Sequence, residues 1–274
     1  MSTKIQKVLI DGFTIEYIKF GTGKKTLVIL PGLSLKSVLP YKAAIEKQYK
    51  VFKDDYTVYL FDRRKELPET YLVYDMARDT ADAIKALNLK NIYIFGASQG
   101  GMIGMTIASM CPDLVDGLAV SSTSAFVDAN KNHVIGKWIT LLQEKKTEEL
   151  VLYFSECVYP ESYFQENKRA FKQLAKLVTD DDVERVLRLL KGTVRFDLRD
   201  KLSNINCPFI AIGDYDDAVF GTEPTLEIAD IMKDRKDFEC YFYNGFGHAV
   251  YDMAPDFTQR IFDFFEKKGA IYSF

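Results

Sequence analysis

Two rhythms of apolar and polar positions divide the chain. Over the first 125 residues, short apolar runs rich in β-branched and aromatic residues each end at a turn-former. LVIL at 27–30 stops at Pro31-Gly32, TVYLF at 57–61 at Asp62, and NIYIF at 91–95 at Gly96. Unbroken apolar runs of this length are the mark of strands buried on both faces. Between the second and third runs, Met76, Thr80, Ala83, Ile84 and Leu87 recur at helical spacing. A fourth run, LVDGLAVSS at 114–122, follows the helix expected after Ser98. Strands alternating with helices predict a parallel sheet covered on both sides. The opening segments VLIDG and FTIEYIKFG predict instead an antiparallel pair joined near Asp11-Gly12.

From about Ala125 the pattern turns helical. Val183, Val186, Leu187 and Leu190 fall at i, i+3, i+4 and i+7. Thr179 and Asp182 ahead of them form a capping-box pattern, and the run Asp180-Asp181-Asp182 puts negative charge at a helix N-terminus. That run reads as helix capping rather than metal ligation, because no other ligands stand at metal spacing. Strand rhythm returns with PFIAIGD at 208–214 and FECYFY at 238–243, and a last helix spans about 256–267. The expected organisation is an α/β core of residues 1–124 and 202–274, interrupted by a helical cap at 125–201.

Composition narrows the function classes. Of 274 residues, 47% are hydrophobic and 27% charged, enough apolar material for a sizeable core. A net charge of −3 favours neither a nucleic-acid partner nor a polybasic membrane surface. The first ten residues, MSTKIQKVLI, hold no signal-peptide core, and no 18-residue uncharged apolar run suits a bilayer. The four cysteines are scattered without a C-x-x-C pair, which reads as reduced thiols of a cytoplasmic protein.

Candidate chemistry concentrates at Gly96-Ala97-Ser98-Gln99-Gly100, a G-x-S-x-G motif between an apolar strand and a helix. A nucleophile at the tip of such a turn needs a strained backbone and small neighbours, which Gly96 and Gly100 supply. Gly100, Gly104 and Ala108 lie four apart and give the helix a smooth face toward the sheet. A serine hydroxyl needs a base, and the chain has two histidines. His248 lies in the glycine-rich turn Asn244-Gly245-Phe246-Gly247-His248 after the last strand, where α/β sheets gather functional groups. His133 opens the helical insert and reads as an exposed polar residue. A carboxylate to orient the imidazole should follow the preceding strand, where Asp214, Asp216 and Asp217 all stand.

These motifs, in the order serine, aspartate, histidine, resemble the α/β-hydrolase superfamily, in particular its small capped esterases and enol-lactonases, over nearly the whole chain. The resemblance implies a mostly parallel eight-stranded sheet flanked by helices, a cap acting as lid, no cofactor and no metal. Gly213-x-x-Asp216-x-x-Val219 matches the family's acid loop, so the expected triad is Ser98, His248 and Asp216. Backbone N–H groups of Leu33 and Gln99 would form the oxyanion hole. Pro31-Gly32 stands where many relatives have His-Gly, and Asp62-Arg63-Arg64-Lys65 resembles a D-R-R-G turn that is structural in the family. The expected activity is hydrolysis of a small ester or lactone with an apolar part, by a monomer or homodimer, with neither nucleic acid nor membrane as partner. Rival uses of the same triad are acyl transfer, C–C bond hydrolysis and perhydrolysis, and a catalytically silent binding module is the rival from another class. A dinucleotide-binding reading fails because Ser98 stands where that fingerprint wants glycine and no acidic residue ends the next strand.

Overall fold

The structure is a computed structural model that describes residues 4–128 and 132–269, so three positions of the expected insert fall outside it. Eight strands form one sheet: β1 (Ile5–Ile10), β2 (Phe13–Phe20), β3 (Lys25–Leu30), β4 (Tyr56–Phe61), β5 (Ile92–Ala97), β6 (Val115–Ser121), β7 (Phe209–Asp214) and β8 (Phe238–Tyr243). Their order across the sheet is β1-β2-β4-β3-β5-β6-β7-β8. The pairs β1–β2 and β2–β4 are antiparallel, and the pairs from β4–β3 to β7–β8 are parallel. Gly12, at φ +83°, makes the expected tight turn between β1 and β2.

Helices cover both faces. The chain forms α1 (Lys42–Gln48), α2 (Val73–Ala86) and α3 (Gln99–Met110) before β6. Between β6 and β7 come α4 (His133–Gln143), α5 (Thr147–Val158), α6 (Glu161–Ala175) and α7 (Asp180–Thr193). The C-terminal part adds α8 (Glu223–Met232), the short α9 (Val250–Met253) and α10 (Phe257–Gly269). The strand side chains alternate between two separate cores, as the two-residue period requires. In β3, Val28 and Leu30 join the core that also takes α2, α3 and α7, while Leu27 and Ile29 join the core of α1 and α10. Ile92 and Ile94 of β5 follow the first pair, and Tyr93 and Phe95 the second. That double burial is why these strands read as unbroken apolar runs.

β8 departs from the pattern. Cys240 and Tyr241 are exposed and its other positions are only partly covered until Tyr243, as befits a strand at the sheet's edge. The start of α7 matches the sequence expectation in detail. Thr179 Oγ1 accepts from the Asp182 amide at 3.2 Å, and the Asp182 carboxylate accepts from the Thr179 amide at 2.9 Å.

Backbone packs closely where α3 leaves β5. A Cβ on Gly100 would stand 1.9 Å from the Leu30 carbonyl oxygen, and one on Gly96 would stand 2.4 Å from the Gly100 oxygen. Both obstacles are backbone, so neither can swing aside. Gly100→Ala is expected to destabilise the fold by about 3 kcal/mol or more, at the upper end for overpacked sites. Urea unfolding followed by circular dichroism measures this, and a loss below about 1 kcal/mol would contradict the close approach.

Candidate active site

Ser98 follows β5 at the N-cap position of α3, with φ 51° and ψ −121°, a backbone conformation that costs an ordinary residue about 1–3 kcal/mol. Hydrogen bonds hold it there. Its amide donates to the Ser121 carbonyl at 2.8 Å, and its carbonyl accepts from the Gly101 amide at 2.8 Å and from Thr123 Oγ1 at 2.7 Å. The strand ahead and the helix behind therefore both pin the serine, while its side chain stays partly accessible. Gln99, directly after it, has the first backbone amide of α3, and a helix's first amides have no carbonyl one turn back.

His248 is 3% exposed, in the loop after β8. Its Nδ1 lies 2.9 and 3.0 Å from the two carboxylate oxygens of Asp217, which is itself buried. Asp217 Oδ1 also accepts from the amides of Val219 at 2.8 Å and Phe220 at 3.0 Å. Burial works against its charge, but the imidazole and those two amides outweigh burial and hold its carboxyl below the ordinary value. With Nδ1 donating to this carboxylate, the imidazole keeps its Nε2 lone pair for another proton.

The acid loop corrects the sequence expectation of Asp216. The Asp216 carboxylate turns to the Gly245 amide, at 2.8 Å, and does not bond His248. Asp214 is fully buried and bonds the amides of Asp216 at 2.8 Å and Phe246 at 3.1 Å. The cause is local. β7 runs on to Asp214, and its carbonyl then accepts from the Asp217 amide at 3.3 Å, closing a turn. That turn carries Asp217, one residue later than expected, back toward the imidazole.

Gly32 lies close to both Ser98 and Tyr251. A Cβ on Gly32 would lie 3.2 Å from Ser98 Cβ and 3.6 Å from the Tyr251 hydroxyl. The Tyr251 ring meets that of His248 edge-on at 6.4 Å between centroids. Leu33 follows Gly32 in the same loop after β3. His133, by contrast, is an exposed residue at the start of α4.

Helices between β6 and β7 touch both segments. The Gln99 side chain donates to the Leu189 carbonyl at 2.9 Å and to Thr193 Oγ1 at 2.8 Å, both on α7. The Ala249 amide donates to the Val158 carbonyl of α5 at 2.9 Å. One polar residue here had passed as structural. Arg63, 7% exposed, donates from Nη2 to Gln99 Oε1 at 2.8 Å. Burial pushes its guanidinium down to about 10, with Asp62 opposing and Arg185 adding to that shift, so it is still a cation at neutral pH. The only sequence hint was an arginine following a strand's closing aspartate, which does not reveal burial.

Comparison with known proteins agrees with this architecture. A family model described as the α/β hydrolase fold matches residues 25–144. A protein of Agrobacterium fabrum named "Putative carbamate hydrolase RutD" is 25% identical over 232 residues, covering 79% of this chain and 85% of its own. A mouse (Mus musculus) protein named serine hydrolase BPHL is 23% identical over 276 residues, covering 95% of this chain and 86% of its own. The crystal structure of an α/β hydrolase enzyme from a Medee basin deep-sea metagenome library superposes with a TM-score of 0.84 at 17% identity, covering 95% and 97% of the two chains.

The depressed Asp217 carboxyl makes stability depend on pH. Folding favours its ionised form, so its contribution is complete above the unfolded carboxylate value of about 3.9 and is lost as pH falls through the lower folded value. Wild type should exceed Asp217→Asn in unfolding free energy at pH 7, and the gap should narrow below about pH 4. Urea titrations of both proteins from pH 7 to 2.5 measure this, and a constant gap would contradict the assignment.

Proposed function

We propose that the chain is a serine hydrolase of the α/β-hydrolase superfamily that cleaves a small carboxylic ester or lactone through an acyl-enzyme, a reading supported by the family-model match over residues 25–144 and by the shared fold. Ser98 is the nucleophile, His248 the general base, and Asp217 the acid that orients and charge-stabilises the imidazole. The observation that carries this reading is the buried His248–Asp217 pair, which the same sheet carries along with a serine held in a strained strand-to-helix turn.

The chemistry follows from that arrangement. Asp217 holds the Nδ1–H tautomer, so Nε2 takes the Ser98 proton as Oγ attacks the substrate carbonyl. Backbone N–H groups of Gln99 and Leu33 receive the charge that develops on the carbonyl oxygen. His248 returns the proton to the leaving group, and water then repeats the sequence to release the acid. Residues 125–201 act as a lid, a reading supported by the α7 and α5 contacts to Gln99 and Ala249. Carbamates belong in the substrate panel, since they present the same carbonyl and one relative bears that name.

A fluorophosphonate probe should label wild type and not Ser98→Ala. On one 4-nitrophenyl ester, Ser98→Ala should lower kcat by roughly a million-fold, the loss seen when a triad acts as a unit. In the same assay Asp217→Asn should cost about 10⁴ in kcat through the wrong imidazole tautomer. Asp216→Asn should stay within about tenfold of wild type, in keeping with a bond only to an exposed loop amide. A Ser98→Ala protein that keeps most of its activity would sink the proposal. A collapse of Asp216→Asn with Asp217→Asn intact would return the acid role to Asp216.

A further inference from the structure

A cavity of about 470 Å³ opens along the seam between the α7 helix and the loop after β4. A smaller one of about 10 Å³, room for about one water, reaches inward to Gly32 and Leu33. Arg63 and Arg185 line both. The inner end therefore meets the loop whose Gly32 lies against Ser98.

Charge around this seam is balanced at every cation but one. Arg185 pairs with Asp62 at 3.3 Å, and Lys36 with Asp182 at 2.6 Å. Arg188 pairs with Glu184, and Lys65 lies 3.4 Å from Glu16. Arg63 makes no ion pair among the described residues, although it is the most buried of these cations. Asp62 makes no hydrogen bond to the Arg63 side chain; its Oδ1 accepts from Arg185 Nη2 and from the backbone amide of Arg63. The Nε of Arg63 is buried with no hydrogen-bond partner. A buried guanidinium without a carboxylate and with an orphaned donor is costly in a folded protein, and a bound anion would remove that cost.

We propose that Arg63, with Arg185 beside it, forms a subsite for a carboxylate carried by the substrate, so that the preferred ester or lactone is an anionic one. This deepens the hydrolase reading and rests on it for the position of the reacting carbonyl. A carbonyl held by Leu33 and Gln99 N–H groups would send its remote end into the seam, where Arg63 offers the charge-assisted, planar recognition that suits a carboxylate. Gln99 links the two places, because its side chain accepts from Arg63 while its own amide faces the reaction.

The test compares 4-nitrophenyl hemisuccinate with 4-nitrophenyl butyrate, two esters of equal acyl length that differ in a terminal carboxylate. Wild type should give the higher kcat/KM on the hemisuccinate, and Arg63→Gln should lower the anionic-to-neutral ratio by about tenfold or more. A ratio near one in wild type, or one that Arg63→Gln leaves unchanged, overturns the subsite. In parallel, calorimetric titration of Ser98→Ala with succinate monomethyl ester should give saturable binding that weakens in Ser98→Ala/Arg63→Gln, and absence of saturable binding overturns the subsite. If Arg63→Gln does not fold, Arg63→Lys replaces it, with the charge kept and the fork lost, and the same drop in ratio is expected. Binding to Ser98→Ala without turnover of either ester by wild type would uphold the subsite and refute the hydrolase reading. Turnover of both esters at equal kcat/KM would do the reverse.

Discussion

The fold depends on one contact between backbones, the approach of the first turn of α3 to the end of β3. Gly100 comes so close to the Leu30 carbonyl that no side chain fits, and Gly96 is equally pressed by Gly100. That approach forces the chain to reverse from strand to helix within a single residue, and Ser98 is that residue. Its unfavourable φ is held because the sheet and the helix each fix one side of it. The same contact brings the loop after β3 against the serine. The strained turn at Ser98, the first amide of α3 and the Gly32–Leu33 loop are thus consequences of one packing constraint.

From there the order of the parallel strands does the rest. β3, β5, β6, β7 and β8 lie side by side, so the loops leaving their C-terminal ends fall along one edge. Ser98 follows β5, Asp217 follows β7 and His248 follows β8. Residues far apart in sequence meet because each is only a few positions beyond its strand. Burial of His248 and Asp217 together then strengthens their interaction, since neither shares its partner with bulk water.

How much of this could be read from the sequence varied with the physical signal. The strands LVIL, TVYLF and NIYIF were legible because burial on both faces leaves no polar position, and the α7 capping box because its hydrogen bonds are local. Ser98 was legible because the turn demands glycines at fixed offsets. The choice among Asp214, Asp216 and Asp217 was not, since it depends on a turn closed by a 3.3 Å hydrogen bond that rotates each side chain differently. Spacing counts residues, but a turn decides which way they face. Arg63 was missed for a related reason. An arginine after a strand is ordinary in sequence, and its burial emerges only in the fold, where α7 and α3 both contact it.

The helices between β6 and β7 then carry a second kind of information. Their apolar faces complete the core on one side of the sheet, while α7 turns a charged face toward the loop after β4. Arg185 ties that helix to Asp62 and to the carbonyls of Arg63 and Arg64, so the helix cannot lift without breaking several charge-assisted bonds. Gln99 adds a further tie from the residue next to Ser98. The seam is thus bounded by charged groups on α7 and on the loop after β4, and Arg63 joins it to the residue that follows Ser98.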